Sequence, residues 1–389
     1  MRRCRSGAGY PAAALCVGWG LLAASAAWAQ LPPPDDASEA ESVPIAGEVL
    51  DAAIAQCEMG NREAALSLFA AIRSQLAPPP ALRLLIERYE ASQCTVAPAR
   101  TSALMVQLGT GYDSNATQGI TARSLLVGSG PDAVELALDD RYRPRASSFA
   151  QGTVEYRAAV GPASTVQVSF GHRANVQTPD YDLTTLAAAG QTLFTALGQR
   201  TSAQLEWAES WLGGAHYQRA LTGGLRWLKP LPDGAWLAGL TGSRLYYLTQ
   251  PSQDAMQTEL SLLREWRIGP AAALTGGGSL IYDRALGARP GGDRQGAQAQ
   301  VGAQFAYSGW TVRPFASYTQ WQSRDVFAEG LIDQRRRNRL GQWALELERP
   351  VSATSRVILQ WRDRDSRDNI ALYRYRSQTL SVYWRWDPR

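Results

Sequence analysis

Few residues in the chain have the type and spacing that catalysis or metal binding requires. His172 and His216 are the only histidines among 389 residues, and no serine stands out beside either as part of a serine–histidine–acid group. Asp113 and Ser114 are neighbours, but their segment is typical of a tight turn rather than of a nucleophile and its base. We therefore expect a protein that is not an enzyme and holds no cofactor.

The cysteines indicate a structural role. Cys57 and Cys94 are the two cysteines beyond the N-terminal segment, and no cysteine–histidine grouping offers a zinc site. In an oxidising compartment two such cysteines commonly form a disulfide bond, which would stabilise the fold by roughly 3–4 kcal/mol in the chain-entropy model. Two buried free thiols are the alternative.

The N-terminal segment indicates export from the cytoplasm. Three arginines within the first five residues precede an apolar stretch at residues 12–27, and an A-x-A pattern follows. This arrangement predicts a signal peptide at residues 1–29 that is cleaved between Ala29 and Gln30. An uncleaved membrane anchor is the alternative.

Two segments separate the signal peptide from the rest of the chain. Residues 30–44 are rich in proline and acidic residues, which predicts a disordered leader. Residues 45–98 change to helical spacing, and Gly60, Ala65, Phe69 and Pro78 resemble one tetratricopeptide repeat with a partial neighbour. We expect a helical, tetratricopeptide-like domain in the periplasm. A helical plug or spacer without a ligand is the alternative.

From residue 101 to residue 389 apolar and polar residues alternate, as they do in β-strands. Val357, Leu359 and Trp361, for example, share one face of a run. The runs are about 10–13 residues long, the length that a tilted strand needs to cross a bilayer. Pairing them predicts about fourteen strands, which begin near Ala103, Phe149, Thr165, Leu183, Thr201, Tyr217, Ala235, Gln257, Ala272, Gln295, Trp310, Arg339, Ser355 and Ser377.

Short turn signals in this region alternate with longer polar connections, which we expect at residues 249–254, 283–294, 323–338 and 364–375. This asymmetry is typical of outer-membrane barrels, and an even number of strands returns both ends to the periplasm. Tryptophans near predicted strand ends, including Trp321, suit interfacial aromatic girdles. The prediction is a mainly β fold, a transmembrane antiparallel β-barrel of about fourteen strands behind a short α-helical domain. A β-propeller is the alternative, because its repeats also have a period of about 40 residues.

The last strand ends in an alternating aromatic run. Leu380, Val382, Trp384 and Trp386 share one side of it, and the run resembles the signal that the outer-membrane barrel assembly machinery recognises. A hydrophobic final strand presents an edge with which that machinery can pair before the barrel closes. The sequence departs from the usual signal at Ser381, where glycine is normal, and by three residues beyond the last aromatic.

The segment that closes the first predicted strand carries a family resemblance through Gly109, Gly111, Tyr112, Asp113, Ser114 and Asn115. Its glycines allow close backbone approach and its polar residues support a tight turn. With the domain order and strand count, it resembles the surface lipoprotein assembly modifier family, whose members join a periplasmic tetratricopeptide-like domain to a 14-stranded outer-membrane barrel. The helical domain here is less than half as long as is usual in that family.

This resemblance implies an outer-membrane translocon that moves a lipoprotein or secreted protein to the cell surface without nucleotide hydrolysis. A passive porin or polysaccharide-export channel is the alternative, and an adhesion barrel with ligand-binding loops is a third possibility. We expect the barrel to be monomeric and to contact outer-membrane lipid, lipopolysaccharide, the barrel assembly machinery and a protein or lipoprotein client. Nucleic acid is not an expected partner, because no basic stripe is interleaved with aromatic residues.

Arginine supplies nearly all the positive charge of a chain whose net charge is +4. Arg335, Arg336, Arg337 and Arg339 fall in a predicted outer loop, where they could pair with lipopolysaccharide phosphates; a solvated loop is the alternative. The predicted lumen residues have both signs, which predicts a wet interior without strong ion selectivity. They are Glu155, Arg157, Arg226, Arg244, Glu346 and Glu348.

Overall fold

The computed structural model describes helical residues at 49–50, 52–54, 56–57, 62–75, 85–87 and 89–90. It also describes residues 102–388, apart from 129–132, 162, 197–198, 232 and 270–271. The predicted signal peptide with its cleavage position, the predicted leader, and Cys94 lie outside the described residues. So do Gly60 and Pro78 of the repeat-like spacing.

The described helical residues share a small apolar core. Helix α1 (Arg62–Gln75) buries Ala65, Phe69 and Ile72, which recur at the spacing of one helix face. Cys57 packs in the same cluster and is disulfide-bonded. Its pairing with Cys94 stays a prediction, as does the tetratricopeptide-like character of the domain. None of the described helices combines the length and the apolar composition that a membrane crossing needs.

Fourteen antiparallel strands form a closed barrel. They are β1 (Ser102–Asp113), β4 (Ser147–Gly161), β5 (Ser164–Asn175), β6 (Leu183–Ala196), β7 (Gln199–Leu212), β8 (Ala215–Leu231), β9 (Gly234–Tyr247), β10 (Ala255–Gly269), β11 (Ala272–Ala285), β12 (Arg294–Tyr307), β13 (Trp310–Ala328), β14 (Ile332–Ser352), β15 (Ser355–Asp368) and β16 (Tyr375–Trp386). Two short strands, β2 (Ser124–Val127) and β3 (Val134–Ala137), pair separately in the connection after β1. Each barrel strand pairs with its sequence neighbour, and β1 pairs with β16 to close the ring.

The two rims of the barrel differ. At the rim where β1 begins and β16 ends, which we call the terminal rim, the connections between strands are two residues long. At the opposite loop rim they are mostly longer, at residues 114–146, 176–182, 248–254, 286–293 and 369–374. The predicted fourteen-strand barrel is confirmed, and every strand except β14 begins within two residues of its predicted start.

The predicted outer loop at residues 323–338 is wrong, because this segment lies mostly in β13 and β14. Gln322 pairs with Arg337, Val326 pairs with Arg335, and only residues 329–331 form the turn. The backbone pairing continues here although residues 322–325 and 333–339 are polar on both faces. Hydropathy alternation therefore disappears before the strands end.

The two faces of the barrel have opposite chemistry. Apolar side chains at alternate positions of the strands are exposed on the outer face, and Leu280, Leu380 and Trp343 each leave more than 60% of their surface uncovered. Most buried polar and charged side chains occupy the inner face, whereas buried Arg264 stacks on Trp236 and Trp266 of the outer face. An apolar belt of this extent around a closed sheet fits lipid surroundings, in which every backbone group must be satisfied within the barrel.

Candidate functional site: the seam and the lumen

The seam between β1 and β16 is built around two inward-facing glycines. A Cβ atom on Gly109 would lie 2.2 Å from Tyr383 Cδ1 and 2.5 Å from the Val382 carbonyl oxygen. A Cβ atom on Gly111 would lie 2.5 Å from Phe149 Cζ. Because no side chain fits at such distances, the two aromatic rings occupy the space that larger residues in β1 would take.

Asp113, the last residue of β1, connects three parts of the loop rim. Its carboxylate accepts hydrogen bonds from the Ser377 hydroxyl (2.6 Å), the Arg173 guanidinium (3.1 Å) and the Asn115 backbone amide (2.9 Å). Only 6% of Asp113 is exposed. This one side chain therefore joins β16, β5 and the turn after β1.

Asn115 extends the same network across the seam. Its side-chain amide donates to the carbonyl oxygens of Gly119 and Arg376, both at 3.0 Å, and its oxygen accepts from the Gly119 amide at 2.7 Å. Ser114 and Gln378 exchange two further bonds, at 2.9 and 2.8 Å. The residues that carry the family resemblance therefore make the contacts that close the barrel.

The aromatic side of β16 lies on the outer face. Leu380, Val382 and Trp384 are 62%, 39% and 40% exposed, and the half-exposed Tyr112 is the partner of Leu380 across the seam. Trp386 occupies the next position on that side at the terminal rim. Recognition of this strand by the assembly machinery stays a prediction.

Near the loop rim, two lumen arginines contact one tryptophan. The guanidinium carbons of Arg294 and Arg336 lie 4.8 and 4.6 Å from the centre of the Trp321 ring. Arg336 also donates to Asp368 at 2.8 Å. The prediction that Trp321 belongs to an interfacial girdle is therefore wrong, because the ring packs under charged groups inside the barrel.

Arg294 and its neighbours differ in how their charge is balanced. Arg289 pairs with Asp283, at 2.8 and 3.1 Å to its two carboxylate oxygens. Arg294 is 7% exposed, and its Nε has no hydrogen-bond partner among the described residues. It lies within electrostatic reach of Arg289 and Arg336 as well as Asp283. Positive charge is therefore in excess at this level of the lumen.

Two further arginines lie on the inner face of β15. Arg364 donates to the side-chain oxygen of Gln342 at 3.2 Å. Arg362, two residues earlier on β15, lies within electrostatic reach of Arg364 and Arg173 and also of the Glu346 carboxylate. Its buried Nε also lacks a hydrogen-bond partner in the described part of the chain.

Towards the terminal rim, Arg313 and Arg356 are paired with glutamates. Arg313 binds Glu346 at 2.9 Å and Glu348 at 2.7 Å, while Arg356 binds Glu348 at 3.0 Å. Both glutamates therefore face the lumen, as predicted. Arg385 on β16 donates to the neutral amide oxygen of Gln107, at 3.0 and 3.2 Å.

The remaining predicted lumen residues divide between the two faces. Glu155 and Arg157 form an inward-facing pair at 3.2 Å, and Arg226 also occupies an inward position on β8. Arg244, by contrast, lies on the outer face with its guanidinium 4.8 Å from the Tyr246 ring. Its predicted lumen position is wrong, because the alternation of β9 places residue 244 on the same face as exposed Tyr246.

The inward-facing groups of β11 to β16, β1, β4 and β5 form a basic surface, which we call the arginine wall. Among the residues described above it contains ten arginines against six carboxylates. The arginines are Arg157, Arg173, Arg289, Arg294, Arg313, Arg336, Arg356, Arg362, Arg364 and Arg385, and the carboxylates are Asp113, Glu155, Asp283, Glu346, Glu348 and Asp368.

The histidines do not join a catalytic arrangement in the described structure. His172 Nδ1 is 2.8 Å from the Thr184 hydroxyl, and His216 stacks on Trp211 and bonds to Glu209. Neither ring contacts a serine hydroxyl among the described residues. Within that same part of the chain, no group of three or more His, Cys, Asp or Glu side chains could hold a metal ion.

One titratable group of the loop rim has a clear pKa shift. Asp293 ends the connection at residues 286–293 and accepts hydrogen bonds from the Ala285 amide (2.9 Å) and the Tyr282 hydroxyl (3.0 Å). Burial raises the pKa of the Asp293 carboxyl, but these bonds and nearby arginines outweigh it, so the pKa is lowered.

No protein-family model matches the chain, and no curated protein does. Solved structures with a similar fold include the outer membrane protein Omp33 of Acinetobacter baumannii, with 13% identity, 74% of this chain and 99% of that chain covered, and a TM-score of 0.34. A FadL homologue of Pseudomonas aeruginosa has 11% identity, coverage of 74% and 90%, and a TM-score of 0.41. OmpT of Vibrio cholerae has 10% identity, coverage of 75% and 100%, and a TM-score of 0.40. The likeness concerns the fold alone, a β-barrel of the kind found in bacterial outer membranes.

Proposed function

We propose that this chain is an outer-membrane translocon that moves a lipoprotein or secreted protein client to the cell surface without nucleotide hydrolysis. One observation carries the proposal, namely the closed barrel with an apolar outer face and a charged inner face from rim to rim. Such a barrel offers polar groups a route that the hydrocarbon core does not, because unpaired polar groups in lipid cost several kcal/mol each, by rough estimate.

Two further features support a protein client over a small solute. The chain has a compact helical core ahead of the barrel, built around Phe69 and Ile72. The segment from Gly109 to Asn115 resembles that of the surface lipoprotein assembly modifier family, and the barrel has the fourteen strands of that family. In our proposal the helical domain receives the client in the periplasm, and the barrel provides the crossing.

The test is surface exposure of a client. Deletion of the gene should abolish protease accessibility of the client on intact cells while leaving its total amount unchanged, and the wild-type gene should restore exposure. Complementation with the Gly341→Ala variant is the matched control, and it should also restore exposure, since a Cβ atom there meets nothing within 4 Å. The proposal is contradicted if a client encoded beside the gene stays equally accessible to protease in the deletion strain.

A passive channel, as a porin or a polysaccharide exporter, is the second candidate. The unbalanced positive charge of the arginine wall favours it, because fixed charges in a lumen select among solutes. Steady conductance of the purified protein in planar bilayers, with client exposure unaffected by gene deletion, would favour this candidate over the translocon.

We also propose lipopolysaccharide as a partner of the outer face near the loop rim. Arg339 and Arg367 are direct cross-strand neighbours on that face, and Arg367 is 79% exposed. Arg367 binds Asp365 at 2.8 Å, which balances one of the two charges, so an external anion would pair with Arg339. Replacing both with glutamine should weaken lipopolysaccharide binding by about tenfold or more, since bonds to charged groups contribute roughly 1.5–3 kcal/mol. Arg349→Gln, on the same face towards the terminal rim, is the control; equal affinity in the double variant would refute this.

A further inference from the structure

The arginine wall extends across the barrel along a single strand. Arg356, Gln360, Arg362, Arg364 and Asp368 all occupy inward-facing positions of β15. A strand rises about 3.3 Å per residue, so this series covers roughly 40 Å, less the effect of tilt. Alternate residues on one face are about 7 Å apart. Guanidinium groups on this and the adjacent strands therefore provide closely spaced donors from one rim to the other.

Several of these guanidinium groups make no direct ion pair with a carboxylate among the described residues. Arg385 donates to a neutral glutamine. Arg362 makes only a long contact, 3.5 Å, with the side chain of Gln360, and Arg294 stacks on Trp321. In both Arg294 and Arg362 the buried Nε has no hydrogen-bond partner among the described residues. A buried cation without a counterion is costly, and an anion in the lumen would remove that cost.

The remaining strands of the lumen differ from the arginine wall in their charge. On the remaining strands Glu206 of β7 and Glu259 of β10 occupy inward positions, and so do Arg226 of β8 and Arg267 of β10. These strands therefore carry carboxylates and arginines together, and the excess of arginines lies on the arginine wall. A negatively charged solute would follow the arginine wall. This differs from the sequence-based expectation of a lumen without strong ion selectivity.

We propose that the arginine wall is a binding track for anionic groups, carboxylates or phosphates, carried by the cargo of the barrel, with Arg294 and Arg362 as its open binding positions. The geometry of guanidinium suits both groups, because its parallel N–H donors match two oxygens at once. The inference rests on the proposed function only in taking the barrel as a conduit. It adds that the cargo groups that pass through or bind are negatively charged. It does not depend on whether the cargo is a protein.

Ion selectivity tests the track directly. The mature protein should show a zero-current potential of anion-selective sign across a planar bilayer with a KCl gradient. The double variant Arg294→Gln/Arg362→Gln should lower the ratio of anion to cation permeability, whereas Arg349→Gln on the outer face should leave it unchanged. Cation selectivity of the wild type, or a permeability ratio unchanged in the double variant, overturns the proposal.

A binding measurement decides the matter if the pore is closed. Inorganic triphosphate and polygalacturonate, as phosphate and carboxylate probes, should change the tryptophan fluorescence of the micelle-bound protein, and Trp321→Phe should remove most of the change. The double variant should bind at least about tenfold more weakly, the effect of losing a charge-assisted hydrogen bond. Binding by neither probe, or equal binding by a double variant that retains wild-type heat-modifiable mobility, overturns the proposal.

These outcomes can be separated from the proposed function. A protein that exposes its client in cells but binds neither probe would keep the translocon proposal and refute the anion track. If the protein binds the probes but deletion of its gene leaves client exposure unchanged, the anion track is kept and the translocon proposal is refuted.

Discussion

Asp113 holds the seam of the barrel, and its replacement by asparagine should destabilise the closed state. The carboxylate accepts from Ser377, Arg173 and the Asn115 amide, and it is almost completely buried. Asparagine has nearly the same shape and keeps one acceptor oxygen. The substitution therefore removes the negative charge with little change in packing.

The expected loss of stability follows from the Arg173 charge that the substitution leaves uncompensated. The Arg173 side chain is only 11% exposed and stacks on the Phe149 ring at 3.9 Å, so water cannot readily replace Asp113 as its partner. Breaking a buried ion pair from one side costs about 3–5 kcal/mol. Because asparagine retains part of the hydrogen bonding, we expect a loss of about 3 kcal/mol, at the lower end of that range.

The assay is reversible urea unfolding of the barrel in lipid vesicles, followed by tryptophan fluorescence and by heat-modifiable mobility. The midpoint of the transition should shift to lower urea while its slope stays the same, since the unfolded surface is unchanged. The matched control is Asp363→Asn, which removes the carboxylate partner of the exposed Arg376 on the outer face. Because the Arg376 side chain is 59% exposed, water can solvate its guanidinium once the carboxylate is lost, so this control should shift the midpoint far less.

Two results would refute the reasoning. Equal destabilisation by Asp113→Asn and Asp363→Asn would show that the burial of the pair does not matter. The double variant Asp113→Asn/Arg173→Met should recover part of the lost stability, because it leaves no unbalanced charge. If the double variant loses more stability than the two single variants lose together, the uncompensated guanidinium is not the cause.

Three further outcomes are expected. Gly109→Ala should lower the yield of the folded, heat-modifiable form, because its Cβ would overlap an aromatic ring and a carbonyl oxygen, whereas Gly341→Ala should fold normally. The contribution of Asp293 to stability should be complete above the ordinary carboxyl pKa of about 4 and lost as pH falls through its lower native pKa. Hydrogen exchange at residues 286–293 should follow that acid transition in the wild type and lose it in Asp293→Asn. Non-reducing peptide mapping should find Cys57 linked to Cys94, and any other partner would contradict the predicted disulfide.

The sequence predicted the strands well where lipid and water impose opposite demands on alternate residues. The starts of β6 at Leu183 and β11 at Ala272 were predicted to the residue. Errors arose where that demand is absent. β14 begins at Ile332 because the β13–β14 hairpin continues past the apolar belt, and residues 333–339 are polar on both faces. Arg244 was assigned to the wrong face because residues 241–243 carry no apolar side chain that marks inside from outside.

The candidate site was less predictable from sequence. The segment from Gly109 to Asn115 could be selected by its turn-forming residues, but not the contacts that it makes. Asp113 and Ser377 are 264 residues apart in the chain, and the register that brings them together exists only in the closed ring. The excess of arginines inside the barrel was hidden in the same way, because the sequence shows charges in order along the chain and not which of them share a wall.

The sequence by itself determined the type of fold, since a strand between lipid and water must alternate and repeated alternation with short turns leads to a barrel. It also determined the number of strands. The tertiary structure alone decided which residues close the seam and that Trp321 and the arginines gather in the lumen. The physical reason is that alternation depends on the two solvents on either side of each strand, whereas pairing and charge balance depend on the registers of all fourteen strands at once.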